Sequence, residues 1–257
     1  HTGFKGIWLV NILNYYKADL YGYSRNDKFK KNFLNLCKFD KKKSFFEDIL
    51  DKKKLRQKLR EVKPSIIFHL AAQSIVKKSY LKPYDTINTN VIGTMNLLEA
   101  GRDIQTIKSI IIVTSDKCYE NLNIKKSFTE NDKLGGDDPY SASKAAAEII
   151  TNSYIKSFFC NNRIGIASVR AGNVIGGGDW NKDRLVPDCV KSWSKNKSLI
   201  LRNPESTRPW QHVLEPLRGY IELSKKINSN KKLSGQSYNF GPKINKAYTV
   251  VELVNQM

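Results

Sequence analysis

The run Ser109-Ile110-Ile111-Ile112-Val113-Thr114-Ser115-Asp116-Lys117 decides the class of fold. Ile110 to Thr114 are all β-branched, too few for a helix, and unbroken in apolar character until Thr114. A short continuous run of this kind reads as a strand buried on both faces, the usual state of a strand in a parallel sheet. Working outward, the same texture recurs in Leu20-Tyr21-Gly22-Tyr23, in Ser65 to Leu70 after Pro64, and in Arg163 to Arg170. Helical patterns fall between these runs, at Lys52 to Glu61, Thr86 to Gly101 and Ser141 to Phe159. Strand alternating with helix predicts an α/β protein with a doubly wound parallel sheet.

At its start, His1-Thr2-Gly3-Phe4-Lys5-Gly6 runs straight into the helical pattern Ile7 to Leu13, with no strand before it. At its end, Thr249 to Met257 reads as an amphipathic helix with Thr249 as N-cap. These ends predict a piece of a longer chain, cut on both sides, with the first strand of the sheet missing. After Arg170 the texture turns to Gly- and Pro-punctuated loops, including Gly176-Gly177-Gly178-Asp179-Trp180 and Arg208-Pro209-Trp210. The expected division is a nucleotide-binding domain over 1–170 and a mainly substrate-binding region over 171–257. Segments at about 213–242 are expected to return to the first domain.

Composition narrows the class further. The 257 residues are 40% hydrophobic and 11% aromatic, with a mean hydropathy of −0.48. That is the balance of a soluble globular protein, and a cytoplasmic location is the expectation. Cys37, Cys118, Cys160 and Cys189 are scattered, without the paired spacing of a disulfide frame or a zinc site. No metal is expected, and His69 and His212 read as hydrogen-bonding residues. The formal charge of +20 raises nucleic acid as a partner. The lysines, however, gather in runs such as 41–43, 52–54 and 231–232 without interleaved aromatics. A solvated face explains them, so neither nucleic acid nor membrane is expected.

Three local patterns carry chemistry. Gly3 and Gly6 stand three apart at the mouth of a helix, where small residues let a backbone approach a pyrophosphate and the helix N-terminus offers free N–H groups. Thr114-Ser115-Asp116-Lys117 closes a strand, and strand C-terminal ends line the crevice of such sheets. In Tyr140-Ser141-Ala142-Ser143-Lys144 the spacing of four puts Tyr140 and Lys144 on one helical face. An ammonium near a phenol favours the phenolate, which takes a proton from a substrate hydroxyl while a hydride leaves the same carbon, and Ser115 can share that proton.

These segments resemble the extended short-chain dehydrogenase/reductase superfamily, and within it the nucleotide-sugar 4,6-dehydratases, most closely those acting on CDP-glucose. The likeness also rests on His69-Leu70-Ala71-Ala72-Gln73, Asn90-Val91-Ile92-Gly93-Thr94, Asp138-Pro139-Tyr140, Arg170-Ala171-Gly172-Asn173 with the glycine run that follows, and Arg208-Pro209-Trp210-Gln211-His212-Val213. It implies a Rossmann-like fold and a bound NAD that is used and regenerated within one turnover. Tyr140 would deprotonate the glucose 4-hydroxyl as C4 gives its hydride to NAD. The ketone makes the C5 proton acidic, water leaves across C5 and C6, and the hydride returns to C6. Asp116 suits the acid at C6 if burial raises its pKa. Lys117 stands where many such enzymes carry glutamate, and acts either as base or as electrostatic stabiliser.

The resemblance further implies a cofactor site of Thr2, Gly3, Phe4, Gly6, Asp48, Ile49, Leu70, Ala71, Ala72, Tyr140 and Lys144, with Asp48 toward the adenine amine. Gln73, Asn173, Arg184, Arg208 and His212 make up the expected substrate set, Arg208 clamping the diphosphate. Tyr23-Ser24-Arg25 offers no acid for the ribose, which leaves NADP as an alternative. The competing readings are a nucleotide-sugar 4-epimerase, a dehydratase of another nucleotide sugar, and a non-catalytic dinucleotide-sensing or nucleic-acid-binding protein on the same fold. A homodimer is expected through the helices Thr86 to Gly101 and Ser141 to Phe159.

Overall fold

A computed structural model describes residues 1–25, 39–121, 127–160, 164–181, 183–242 and 248–257. Cys37 and Arg163 therefore lie outside the described residues. After α1 (Phe4–Tyr15) come β1 (Gly22–Ser24), β2 (Ser44–Phe46), α2 (Lys52–Val62) and β3 (Ile66–His69). Next are α3 (Val76–Leu81) and α4 (Pro83–Ile87), the latter running through a π-helical turn (Asn88–Ile92) into α5 (Gly93–Gly101). β4 (Ser109–Val113), α6 (Pro139–Tyr154), β5 (Gly165–Ala171) and β6 (Val174–Ile175) follow. The chain goes on through α7 (Leu185–Trp193), β7 (Thr207–Arg208), β8 (Gln211–His212), α8 (Leu214–Ser229), β9 (Ser237–Phe240), β10 (Tyr248–Thr249) and α9 (Val250–Asn255).

The main sheet has the order β3-β4-β5-β9, parallel throughout, with Ser109 opposite Gly165 and Val113 opposite Val169. Every residue of β4 and β5 is buried. Alternate residues of β4 serve opposite faces, as the pleat requires. Ile111 and Val113 pack with Leu217, Tyr220 and Ile221 of α8, whereas Ile110 and Ile112 pack with Leu97 and Leu98 of α5 and with Ile107. Two apolar faces per strand are why the sequence shows a continuous run rather than alternation. Among the described residues, no helix is long and apolar enough to cross a membrane.

Helix starts follow their caps. Asp51 accepts from the Lys54 N–H at 3.0 Å and opens α2, which ends at Lys63 with φ of 49° just before Pro64. Thr249, the expected N-cap of α9, forms a reciprocal capping box with Glu252. Asp138 does most: its carboxylate accepts from the Tyr140 and Ser141 N–H groups at 2.9 and 3.0 Å and from the Ser141 hydroxyl at 2.6 Å, with Pro139 at the first helical position. α6 therefore starts two residues before the predicted Ser141, and Tyr140 lies within its first turn. Asp138→Ala should lower unfolding free energy by about 1 kcal/mol, measured by urea denaturation.

Other boundaries differ from expectation. β1 begins two residues after the predicted Leu20 and pairs in parallel with β2. Ser44-Phe45-Phe46 is too short, and too close to lysines, to announce itself as a strand. β9, also unannounced, pairs with β5. Beyond Arg170, β6 pairs with β8 and β7 with β10 in two small ladders.

Candidate active site

A cleft of about 2230 Å³ runs along β3, from Pro64 and Ser65 at the start of that strand to Asp116 and Tyr140 beyond the strand ends. The latter end gathers Ser115, Asp116, Lys117, Tyr140 and Lys144. Thr2, Gly3, Phe4, Gly6, Asp48, Ile49, Leu70, Ala71, Ala72, Tyr140 and Lys144 all line it. Gly3 is the N-cap of α1; no side chain caps that end and no acid occupies its first turn. A Cβ added at Gly3 would meet nothing within 4 Å, whereas one at Gly6 would come within 2.9 Å of the His1 Cα. The turn is thus tight on one side and open on the other, toward free helix N–H groups. Such a donor set fits an anion, and the residues present fit the pyrophosphate of a dinucleotide. At the far end Thr2 donates to Ser24 at 3.2 Å, and the Asp48 carboxylate accepts from the Leu50 N–H at 2.9 Å.

The candidate acid–base groups meet where β4 ends. Ser115 Oγ donates to Asp116 Oδ1 at 3.0 Å and accepts from the Lys117 N–H at 3.2 Å. Burial pushes the Asp116 carboxyl up, against the hydrogen bond from Ser115 and the charges of Lys117, Lys5 and Arg208. That is the direction an acid needs. Lys117 is exposed at the cleft mouth. Lys144, only 6% exposed, is lowered to about 8, first by burial and then by the charge of Lys5.

Tyr140 departs from expectation. Its phenol is pushed up to about 12, by burial first, with the hydrogen bond from Ser115 and the Arg184 charge acting the other way. The Lys144 ammonium donates to the Val113 carbonyl at 3.2 Å. A cation that favours the phenolate here is Arg184. That guanidinium is held at 3.0 Å by Asp179 of the Gly-Gly-Gly-Asp segment and lines the cleft. Asn173 and the exposed Arg208 also line it.

Two expected substrate residues do not reach the cleft. Gln73 is 6% exposed, and its side chain accepts from the Ile75 N–H at 2.8 Å and donates to the Ile75 carbonyl and Thr86 Oγ1, each at 3.0 Å. Its polar atoms are taken up in tying the loop after β3 to α4. His212 is exposed, its Nδ1 accepts from the Leu214 N–H at 3.3 Å, and its ring lies edge-on to Trp8. Alternation along β8 turns Gln211 inward and His212 outward. His69 is hydrogen-bonded to Thr94 Oγ1 at 2.9 Å, and burial lowers it to about 3, which keeps the ring neutral.

The sequence matches the family described as GDP-mannose 4,6 dehydratase over residues 1–256. This chain belongs to that family. It is 44% identical over 263 residues to CDP-glucose 4,6-dehydratase of Salmonella typhimurium, covering 100% of this chain and 73% of that protein. Among solved structures it is similar to a dTDP-glucose 4,6-dehydratase of Bacillus anthracis in complex with NAD, with 26% identity and a TM-score of 0.80 over 99% of this chain and 77% of that one. A UDP-glucose 4-epimerase of Thermotoga maritima, at 20% identity and a TM-score of 0.83 over 99% and 78% of the two chains, shares the Rossmann fold.

Lys5 is a cleft residue that the sequence pattern does not single out. Held between Gly3 and Gly6, it lines the cleft, lies 6.0 Å from the centre of the buried Tyr220 ring, and is lowered to about 8 by burial and by the Arg184 charge, against that of Asp116. The glycines draw attention to the backbone; the signal was the unusual charge set between them.

Proposed function

We propose that this protein is a nucleotide-sugar 4,6-dehydratase that uses NAD and converts CDP-glucose to CDP-4-keto-6-deoxyglucose. The observation that carries the reading is the meeting, in one cleft, of Tyr140 and Lys144 from a helix with Ser115, Asp116 and Lys117 from a strand end. The 44% identity to an enzyme named for CDP-glucose supports the choice of nucleotide. An epimerase needs the first pair but has no task for an acid and an amine beside it.

NAD, with its pyrophosphate held by the free N–H groups of the Gly3 turn, would supply the hydride acceptor for sugar C4 and the hydride donor for C6. The chain's own groups do the rest. Tyr140 takes the C4 hydroxyl proton, with Ser115 and Arg184 stabilising the phenolate form. Asp116, whose carboxyl burial pushes up, gives its proton to the C6 hydroxyl, which leaves as water. Lys117, at the cleft mouth, either takes the C5 proton as base or stabilises the enolate that forms there. Arg208 and Asn173, at the outer wall, hold the diphosphate and the sugar. Residues 1–170 act as the nucleotide-binding part, and the loops after Arg170 as the part that covers the sugar.

Incubation with CDP-glucose, UDP-glucose, dTDP-glucose and GDP-mannose, followed by mass analysis, tests the reading. Loss of water is expected with CDP-glucose. Conservation of mass with a changed C4 configuration would make the protein an epimerase instead.

We also infer a homodimer. Leu81, Tyr84 and Ile149, at 78%, 76% and 56% exposure, lie on α3, α4 and α6, which pack together. Large apolar side chains gathered on adjoining helices favour a symmetric contact with a second copy. Ile149→Glu should halve the mass seen by light scattering; a wild-type monomer would contradict the inference.

A further inference from the structure

One turn beyond Lys144 on α6, Glu148 forms a buried ion pair with Arg170 of β5, the two side chains being 3% and 4% exposed. The pair lies outside the cleft lining and has no part in the acid–base steps above. Arg170 Nε donates to both carboxylate oxygens, at 2.8 and 3.0 Å, and its Nη2 donates to Oε2. Thr114 donates to Oε1 at 2.5 Å and Ser237 to Oε2 at 3.0 Å. Arg170 Nη1 in turn donates to the Tyr119 hydroxyl at 2.7 Å and to the Glu130 carbonyl at 3.2 Å, and Tyr119 donates to Asn239 at 2.6 Å.

A buried ion pair is a weak source of stability, because desolvating two charges offsets most of their attraction, and apolar replacements often serve as well. What this one does supply is placement. Thr114 and Tyr119 flank Ser115, Asp116 and Lys117, and each is tied to one member of the pair. On the helix side, Glu148 shares a face with Lys144 and Tyr140 at successive intervals of four. Lys144 holds the Val113 carbonyl and Glu148 holds the next residue's hydroxyl, so strand end and helix are pinned at two consecutive positions.

We propose that the Glu148–Arg170 pair is a positioning device that keeps the Asp116–Lys117 segment in register with Tyr140, so that one bound sugar meets both halves of the reaction. The inference rests on the dehydratase reading. It makes Thr114, Glu148, Arg170 and Tyr119 positioning residues, and it predicts an effect on the passage from oxidation to elimination, where general destabilisation would instead lower the amount of active protein.

Thr114→Val tests this with little change of volume and leaves the ion pair itself in place. With CDP-glucose, KM should stay within about threefold of wild type while dehydration slows about tenfold or more, the scale expected when reacting groups are displaced by a fraction of an ångström to an ångström. Acid-quenched mixtures should contain CDP-4-ketoglucose, lighter than substrate by two hydrogens and still carrying its C6 hydroxyl. Tyr119→Phe should leak the same species, and Thr114→Ser, which restores a hydroxyl, should suppress it. The proposal is overturned if Thr114→Val lowers the unfolding midpoint while its folded fraction dehydrates at the wild-type rate without leakage, or if Thr114→Ser leaks as much as Thr114→Val. A wild-type protein that removes water from none of the four sugars overturns the dehydratase reading and this inference with it; variants matching an active wild type overturn the inference alone.

Discussion

Tyr140→Phe should reduce turnover of CDP-glucose by about 10²- to 10⁴-fold, the range general acid–base groups contribute. The loss should fall on kcat, with substrate affinity nearly unchanged. The ring of Tyr140 is buried and keeps its packing as phenylalanine. No ketone, no dehydrated sugar and no exchange of the C5 proton with solvent should be detectable, because C5 becomes acidic only after C4 is oxidised. Product mass and deuterium uptake from heavy water measure this together. A variant that still exchanges C5 would show that another group takes the C4 proton.

Asp116→Asn should separate the two halves of the reaction. The amide keeps the size of the carboxyl and can still accept from Ser115, but it has no proton to give to the C6 hydroxyl. Oxidation at C4 should proceed and elimination should stall, lowering the dehydration rate by about 10²- to 10⁴-fold, with the 4-keto, 6-hydroxy sugar found on acid quench. Burial is the cause that lifts the Asp116 carboxyl, and Ser115, Lys117, Lys5 and Arg208 oppose it. Dehydration by Asp116→Asn at the wild-type rate would remove Asp116 from the acid role.

Local patterns disclose those parts of the fold and site whose meaning is local. Ile110 to Val113 can only be a doubly buried strand, and the helix after Asp138 follows from an N-cap, a proline and a run of small residues. Tyr140 and Lys144 are legible because helical spacing alone puts them on one face, and Asp116 because it directly follows a strand. Gln73 and His212 show the limit: both stand in motifs that run beside the site, but hydrogen bonding to Thr86 and alternation along β8 turn them elsewhere. β9 is recognisable only once β5 is there to pair with it. Glu148 and Arg170 are 22 residues apart, and an ordinary helix acid and strand arginine acquire a role only through contact across the sheet. The phenol of Tyr140 is raised rather than lowered because of its burial, and helical spacing gives a face but not the depth at which that face lies.

The central claim, that a single cleft oxidises C4 and reduces C6 of the same sugar, is tested most directly with CDP-glucose carrying deuterium at C4. The account predicts that the isolated product is a 4-keto-6-deoxy sugar with that deuterium on C6. Deuterium missing from C6 of a dehydrated product, or a product of unchanged mass with the label still on C4, would contradict it.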